Sequence, residues 1–357
     1  MDATALRDEF PVLTDLVYLN AGTFGPLPHA AVRAAIDVLD RAAAQGRTRP
    51  YYELKVELAD RQRAAYGALL GVDGVDIGLT TSTSDGVVRV VTSLDLGPGD
   101  EVLTAPDEHP GLLGPLNALR ARRGVDVRTA PFADLADAIG PRTKLVACSH
   151  VSWVTGALRP AGLAETEVPV LLDGAQGIGA VDSDVRSLRC AFYAGSGQKW
   201  LCGPMGSGML WVDPDWRDRV VPLGTTFINL ADPGAALDSA PHLDGRRYDS
   251  PAVAPETSAA ALAAHDVLAS HGWPEVQARA AELAATLAAR LAAAGRTVAP
   301  RDHTTLVSWE DPDPEGTRTR LADAGVIIRD LPGTPYVRAS VGAWTDQEDL
   351  ERLLAAL

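Results

Sequence analysis

The chain has 357 residues, 46% of them hydrophobic, with 47 acidic against 32 basic side chains and a formal charge of -15, the profile of an ordinary globular protein of one large or two modest domains. Such a charge excludes an electrostatic grip on nucleic acid or an anionic membrane, either of which needs a surplus of Lys and Arg on some face. The start MDATALRDEF lacks a signal-peptide pattern and no apolar run reaches the roughly 20 residues of a bilayer crossing, so a cytoplasmic location is expected.

Behind early prolines, 28–45 and 50–70 carry apolar residues at helical spacing, and Gly71 suits a left-handed cap. Seven short apolar runs then alternate with helical segments, at 77–81, 101–105, 125–129, 144–149, 168–173, 191–194 and 209–212. Several are apolar at nearly every position, as in strands covered on both faces. The expected fold is therefore α/β, with a large, mostly parallel seven-stranded sheet in a domain over 16–255. Residues 222–255, rich in Pro and Gly, read as a long functional loop region. From 256 to 357 a smaller α+β unit is expected, with residues 1–15 packing near it. It would hold two alanine-rich helices (256–269, 274–294), strands at 304–309, 326–329 and 336–341, and helices at 315–324 and 346–357.

The three cysteines, Cys148, Cys190 and Cys202, show no C-x-x-C spacing, so neither a disulfide framework nor a cysteine zinc site is expected. The seven histidines lack H-E-x-x-H spacing, and no G-x-G-x-x-G follows a strand, which disfavours metal hydrolysis and a nicotinamide enzyme. Only Lys55, Lys144 and Lys199 are lysines, so an amine nucleophile has three candidates. Lys55 falls in a predicted helix and Lys144 at a strand start. Lys199 stands in Gly195-Ser196-Gly197-Gln198-Lys199, just past a strand, and Asp173 ends another strand 26 residues earlier, before Gly174-Ala175. Taken singly, such an aspartate caps a turn and such a lysine is solvated. As a pair at the carboxyl edge of one sheet they suit pyridoxal phosphate, the lysine as Schiff-base former and the aspartate as partner of the pyridine nitrogen.

With Val17-Tyr18-Leu19-Asn20-Ala21-Gly22 at one end and the final helix at the other, the chain resembles the class V aminotransferase family of fold type I pyridoxal phosphate enzymes, which includes cysteine desulfurases, selenocysteine lyases and isopenicillin N epimerases. The resemblance implies a homodimer acting at Cα of a small amino acid. It places Thr83 and Ser84, at a predicted helix start, and Ser196 on the cofactor phosphate. Gln198 stands where the family usually has a histidine, and its amide can still donate. His109 in Asp107-Glu108-His109-Pro110 would lie over the pyridine ring and share in proton transfer, and Gln176 would reach the phenolic oxygen. Arg338 in Tyr336-Val337-Arg338-Ala339-Ser340 would hold the substrate carboxylate with its planar fork, Arg329 being a weaker candidate, while Gly22 and Trp153 would line the substrate side. Lys199 would also be the base at Cα.

Three departures shape the expected reaction. No cysteine lies in 329–335, where desulfurases carry the persulfide-forming residue; Trp153 replaces an asparagine; and Ala252 replaces the threonine that reaches a partner subunit's phosphate. A carbon–sulfur β-lyase on cysteine or a cysteine S-conjugate, working without an enzyme persulfide, is therefore the leading expectation. An isopenicillin N epimerase-like epimerase or an aminotransferase is the alternative. A cofactor-free binding relative would have a broken Asp–Lys pair, and the pair is intact.

Overall fold

The computed structural model describes residues 1–357, the side chain of Ala236 excepted. A short helix α1 (Ala3–Asp8) and a two-residue strand β1 (Val17–Tyr18) precede the long helices α2 (His29–Gln45) and α3 (Arg49–Leu70). Proline fixes the start of each, and α3 ends at Gly71 in the left-handed region, φ 70°.

The next stretch alternates as β2 (Ile77–Thr80), α4 (Thr83–Ser93), β3 (Glu101–Thr104), α5 (Pro110–Arg123), β4 (Asp126–Thr129), β5 (Thr143–Ser149), β6 (Val170–Asp173), α6 (Val185–Leu188), β7 (Phe192–Ser196) and β8 (Gly208–Val212). Its seven strands form one sheet in the order β2-β8-β7-β6-β5-β3-β4. Only β8 runs against its neighbours. The central strands are buried on both faces, and the period-2 rule sorts their side chains. Leu145 and Ala147 of β5 join Val87, Val90 and Val91 of α4 and Leu112 and Leu116 of α5, whereas Val146 and Cys148 join Tyr66 and Leu70 of α3. Each large apolar side chain so buried contributes about 1.5–3 kcal/mol.

After α7 (Pro255–Ala269) and α8 (Trp273–Ala293) come β9 (Leu306–Glu310), α9 (Pro314–Asp323), β10 (Val326–Ile327), β11 (Arg329–Asp330), β12 (Tyr336–Ser340) and α10 (Gln347–Ala356). The single strand expected at 326–329 is two: β10 pairs in parallel with β1, while β11 pairs antiparallel with β12, which pairs with β9. The break lets one segment serve two sheets. Through β1 and the Asn20–Ser340 bridge the N-terminal segment is tied to the C-terminal unit, and Val17 and Leu19 share its core with Leu287, Trp309 and Val337.

Residues 222–255 carry only short 3-10 turns and dock on the β2 edge. Buried Asp249 accepts from Leu79 N at 2.9 Å and pairs with both terminal nitrogens of buried Arg63. Ser250, two residues before Ala252, bonds Asp85 and Arg89 of α4. Among the described residues no helix is long and apolar enough to cross a membrane.

Candidate active site

Parallel strands leave their loops at one edge, and five of them deliver the candidate residues there. A cavity of about 230 Å³ at this edge is lined by Thr83, Ser84, His109, Asp173, Ser196, Gln198 and Lys199, together with Arg329. Four of these five loops line that space, from positions spread over more than a hundred residues, and the β5 loop with Trp153 does not.

The β2–α4 turn explains one wall. Ser82 is the N-cap of α4, its hydroxyl accepting from Asp85 N at 3.1 Å, and Asp85 reaches back to Thr81 N at 3.0 Å. The first amides of a helix lack intrahelical acceptors, so the turn presents N–H groups and the positive end of the helix dipole. Thr83 Oγ1, Ser196 Oγ and Gln198 Oε1 are buried without a hydrogen-bond partner among the described residues. The two hydroxyls can donate and, with the free N–H groups of the helix start, form an anion cradle, whereas Gln198 Oε1 can only accept.

The rest of the lining holds the ionisable groups. Asp173, at the end of β6, is buried and accepts from Ala175 N at 2.9 Å. Burial pushes its pKa up, against the pull of Lys199 and the Ala175 bond. Lys199 is pushed down to about 8, by burial first, with Arg338 and Arg329 adding to it and Asp173 opposing. An amine so placed is in part neutral, hence nucleophilic, near physiological pH. The lysine loop is pinned from the N-terminal motif, where Gly25 N donates to Gln198 O at 2.8 Å and a Cβ on Gly25 would fall 2.0 Å from Lys199 O.

His109 is the N-cap of α5, whose first residue is Pro110; its Nδ1 accepts from Gly111 N at 3.0 Å, which leaves the proton on Nε2. Burial, and then Lys199, Arg329 and Arg338, lower its pKa to about 4, so the ring is neutral at physiological pH. Beside it Glu108 is buried, with Ser149 N donating at 2.8 Å and Ser149 Oγ bonded too, and burial raises its pKa to about 8.

Four candidates lie behind the lining. Gln176 donates to Gly22 O at 2.8 Å and accepts from Trp200 Nε1 at 3.0 Å, so its amide is engaged at both ends. Gly22 sits against Ser340, Arg338 and Gln176, 2.7–2.9 Å from where its Cβ would be. Trp153 stands edge-on to His109 and donates Nε1–H to Asp107 O, and its carbonyl accepts from Arg338 Nη1 at 2.6 Å. Fully buried Arg338 keeps Nε and Nη2 unpartnered among the described residues, and its pKa falls to about 9 through burial and Arg329. Sequence reasoning passed over Ser82, Thr23 and Met205, which also line the cavity. Ser82 was within reach, since Ser-x-x-Asp before an apolar periodic run marks an N-cap. No described residue of 222–255 lines the cavity.

The family model for aminotransferase class-V matches residues 17–353. The chain belongs to this family. It is 29% identical to the isopenicillin N epimerase of Streptomyces clavuligerus over 96% of this chain and 94% of that one, and 31% identical to a probable cysteine desulfurase of Pseudomonas aeruginosa over 84% and 81%. Among solved structures it is similar to a complex of the cystine C–S lyase C-DES with its reaction product cysteine persulfide, with a TM-score of 0.91 and 26% identity over 97% of this chain and 98% of that one. A C-DES mutant with glycine covalently linked to the PLP cofactor is similar too, with a TM-score of 0.92 at 26% identity, over 98% of both chains.

The class-V fold is thus that of fold type I enzymes, and pyridoxal phosphate is the family's cofactor. The residues present fit it. Unpartnered buried Thr83 Oγ1 and Ser196 Oγ lie at the anion cradle, a buried carboxylate faces into the cavity from β6, and the one cavity lysine has a depressed pKa.

Proposed function

We propose that this class-V enzyme is a carbon–sulfur β-lyase acting on cysteine or a cysteine S-conjugate, with no enzyme persulfide on the route. The carrying observation is the state of its thiols. Cys148, Cys190 and Cys202 are all buried, none lines the cavity, and burial pushes every one upward, Cys190 to about 12. A thiol held neutral in apolar packing is a poor sulfur acceptor. Likeness to a cystine C–S lyase over nearly the whole chain supports the same reading.

Pyridoxal phosphate, when bound, supplies an electron sink that stabilises negative charge at Cα. In the proposed arrangement Lys199 would hold it covalently, Asp173 would serve the ring nitrogen, the Ser82–Ser84 turn with Ser196 and Gln198 would hold the phosphate, and Gln176 would serve the phenolic oxygen. His109 covers the ring as a neutral imidazole. Arg338 fixes the substrate α-carboxylate, with Gly22 leaving room for it and Trp153 holding it from behind. Lys199, freed when the substrate amine takes its place, would then take the proton from Cα. Overall the Cβ–S bond breaks, sulfur leaves as sulfide from cysteine or as thiol or persulfide from a conjugate, and hydrolysis of the remaining three-carbon fragment yields pyruvate and ammonia.

We further propose a homodimer. Val32, Ile36 and Leu39 recur at helical spacing on α2 and are exposed, as are Phe24, Leu27 and, on α3, Tyr52 and Val56, a surface suited to a second copy.

The experiment is to incubate holoenzyme with cysteine, cystine and cysteine S-conjugates while following pyruvate, ammonia, sulfur products and optical purity. Pyruvate at a rate unchanged by replacing Cys202 with alanine is the expected result. A second reading, epimerisation, draws on the 29% identity to an isopenicillin N epimerase over 96% of the chain. Racemisation without pyruvate would establish it and remove the lyase.

A further inference from the structure

Arg329 of β11 and Arg338 of β12 are direct cross-strand partners. Directly opposite residues project from the same face of a sheet, and like charges so placed repel. Neither guanidinium has an ion-pair partner among the described residues: Arg329 Nη1 donates to Thr23 Oγ1 at 3.2 Å and Arg338 Nη1 to Trp153 O, while Asp330, next in the chain, pairs with Arg318 at 2.8 Å. The cavity they adjoin contains Lys199 and a single lining carboxylate, Asp173. This end of the site is therefore short of negative charge.

The two arginines also differ in depth. Arg338 is fully buried behind Gly22, whereas Arg329 is half-buried and lines the cavity beside Thr23 and the exposed Phe24. One carboxylate is satisfied by one guanidinium fork. With the α-carboxylate on Arg338, a second cation at the cavity wall is left for a second anion.

We infer that the substrate carries a second carboxylate, on its side chain or leaving group, and that Arg329 holds it. This rests on the reading of an amino-acid substrate bound through Arg338. It makes Arg329 the residue that selects among cysteine conjugates, favouring those with an acidic S-substituent over neutral ones of the same shape.

The test compares S-carboxymethyl-L-cysteine with S-carbamoylmethyl-L-cysteine, which differ only in acid against amide. Dissociation constants come from the change in visible absorption of the bound cofactor, with pyruvate measured in parallel. Wild type should prefer the acid by roughly tenfold or more, the scale of one charge-assisted hydrogen bond. Arg329→Gln should bring the preference close to unity, Arg329→Lys should restore part of it, and Arg338→Gln should weaken both ligands alike. Equal weakening of both ligands by Arg329→Gln, or no preference in wild type, would overturn the inference, and pyruvate formed in that same experiment would leave the lyase standing. A preference for the acid without pyruvate would keep the inference and remove the lyase. Binding of neither ligand would remove both.

Discussion

The imidazole of His109 stands edge-on to the indole of Trp153, ring centroids 5.2 Å apart at 87°. Trp153 Nε1 donates to the carbonyl of Asp107 at 2.7 Å, so one side chain fixes both the ring of His109 and the loop that carries it. Its own carbonyl receives Arg338 Nη1. Trp153 thus touches both the group proposed to cover the ring and the group proposed to hold the carboxylate.

Trp153→Phe tests that role. Phenylalanine keeps most of the apolar packing against Val154 and Leu331 but leaves the Asp107 carbonyl unpartnered, a cost of about 1–3 kcal/mol. Urea unfolding should show that loss. In addition the pH-independent rate of Cα proton exchange should fall, because His109 is freed to turn; exchange at the wild-type rate would show that the indole only packs.

Gly22→Ala should act on substrate alone. The added Cβ would lie 2.7 Å from Ser340 Oγ, 2.8 Å from Arg338 Nη2 and 2.9 Å from Gln176 Oε1, closer than real Cβ contacts, so the side chains round it must shift, and Arg338 is expected to be among them. Displacement of a positioning group by about 1 Å costs roughly 10²-fold. The loss should appear in kcat/KM for the amino acid, while affinity for pyridoxal phosphate, measured by equilibrium dialysis, changes little. Parallel loss of both would mean that Gln176 rather than Arg338 yields.

Lys199 sets a pH dependence for loading the apoprotein. Its pKa is lowered to about 8, and only the neutral amine is nucleophilic, so the rate at which added pyridoxal phosphate develops visible absorption should rise up to about pH 8 and then level off. The sign for stability follows from the same shift. The unfolded chain holds this proton more tightly, so this group makes apoprotein stability rise between about pH 8 and the ordinary lysine value of 10.5. A loading rate still climbing steeply at pH 10 would mean that the amine is not depressed.

Strands of the large sheet were legible because burial on both faces leaves little but Val, Leu, Ile and Ala to write them with, and Asp173 and Lys199 were legible because each follows such a run at once. Less could be read where contacts span long stretches of chain. Arg63 and Asp249 are 186 residues apart, and nothing local marks either as the clamp that docks 222–255. The break at Ile328 was hidden because β10 and β11 have two residues each, too few for a period. Gln176 was placed by its neighbours in sequence, yet its amide bonds Gly22 O and the Trp200 indole, partners that only the packed structure brings to it.

Glu108 offers a last measurement, of a group unseen in the sequence because an acid in a polar loop looks solvated. It is buried, accepts from Ser149 N at 2.8 Å and bonds Ser149 Oγ, and burial outweighs those bonds, raising its pKa to about 8 with help from Asp173 and Asp107. The folded state therefore favours the protonated carboxyl. The stability that this preference contributes is complete below the ordinary value of 4.5 and is lost as pH rises through about 8. Glutamine keeps the shape without the proton equilibrium, so Glu108→Gln should remove that loss. In urea unfolding the stability of wild type relative to the variant should fall between pH 5 and pH 9. Asp173 is raised in the same direction and is common to both proteins, so its own burial cancels in the comparison and only its coupling to Glu108 remains. A difference independent of pH would show that Glu108 is ionised in the folded protein, with the Ser149 bonds outweighing burial.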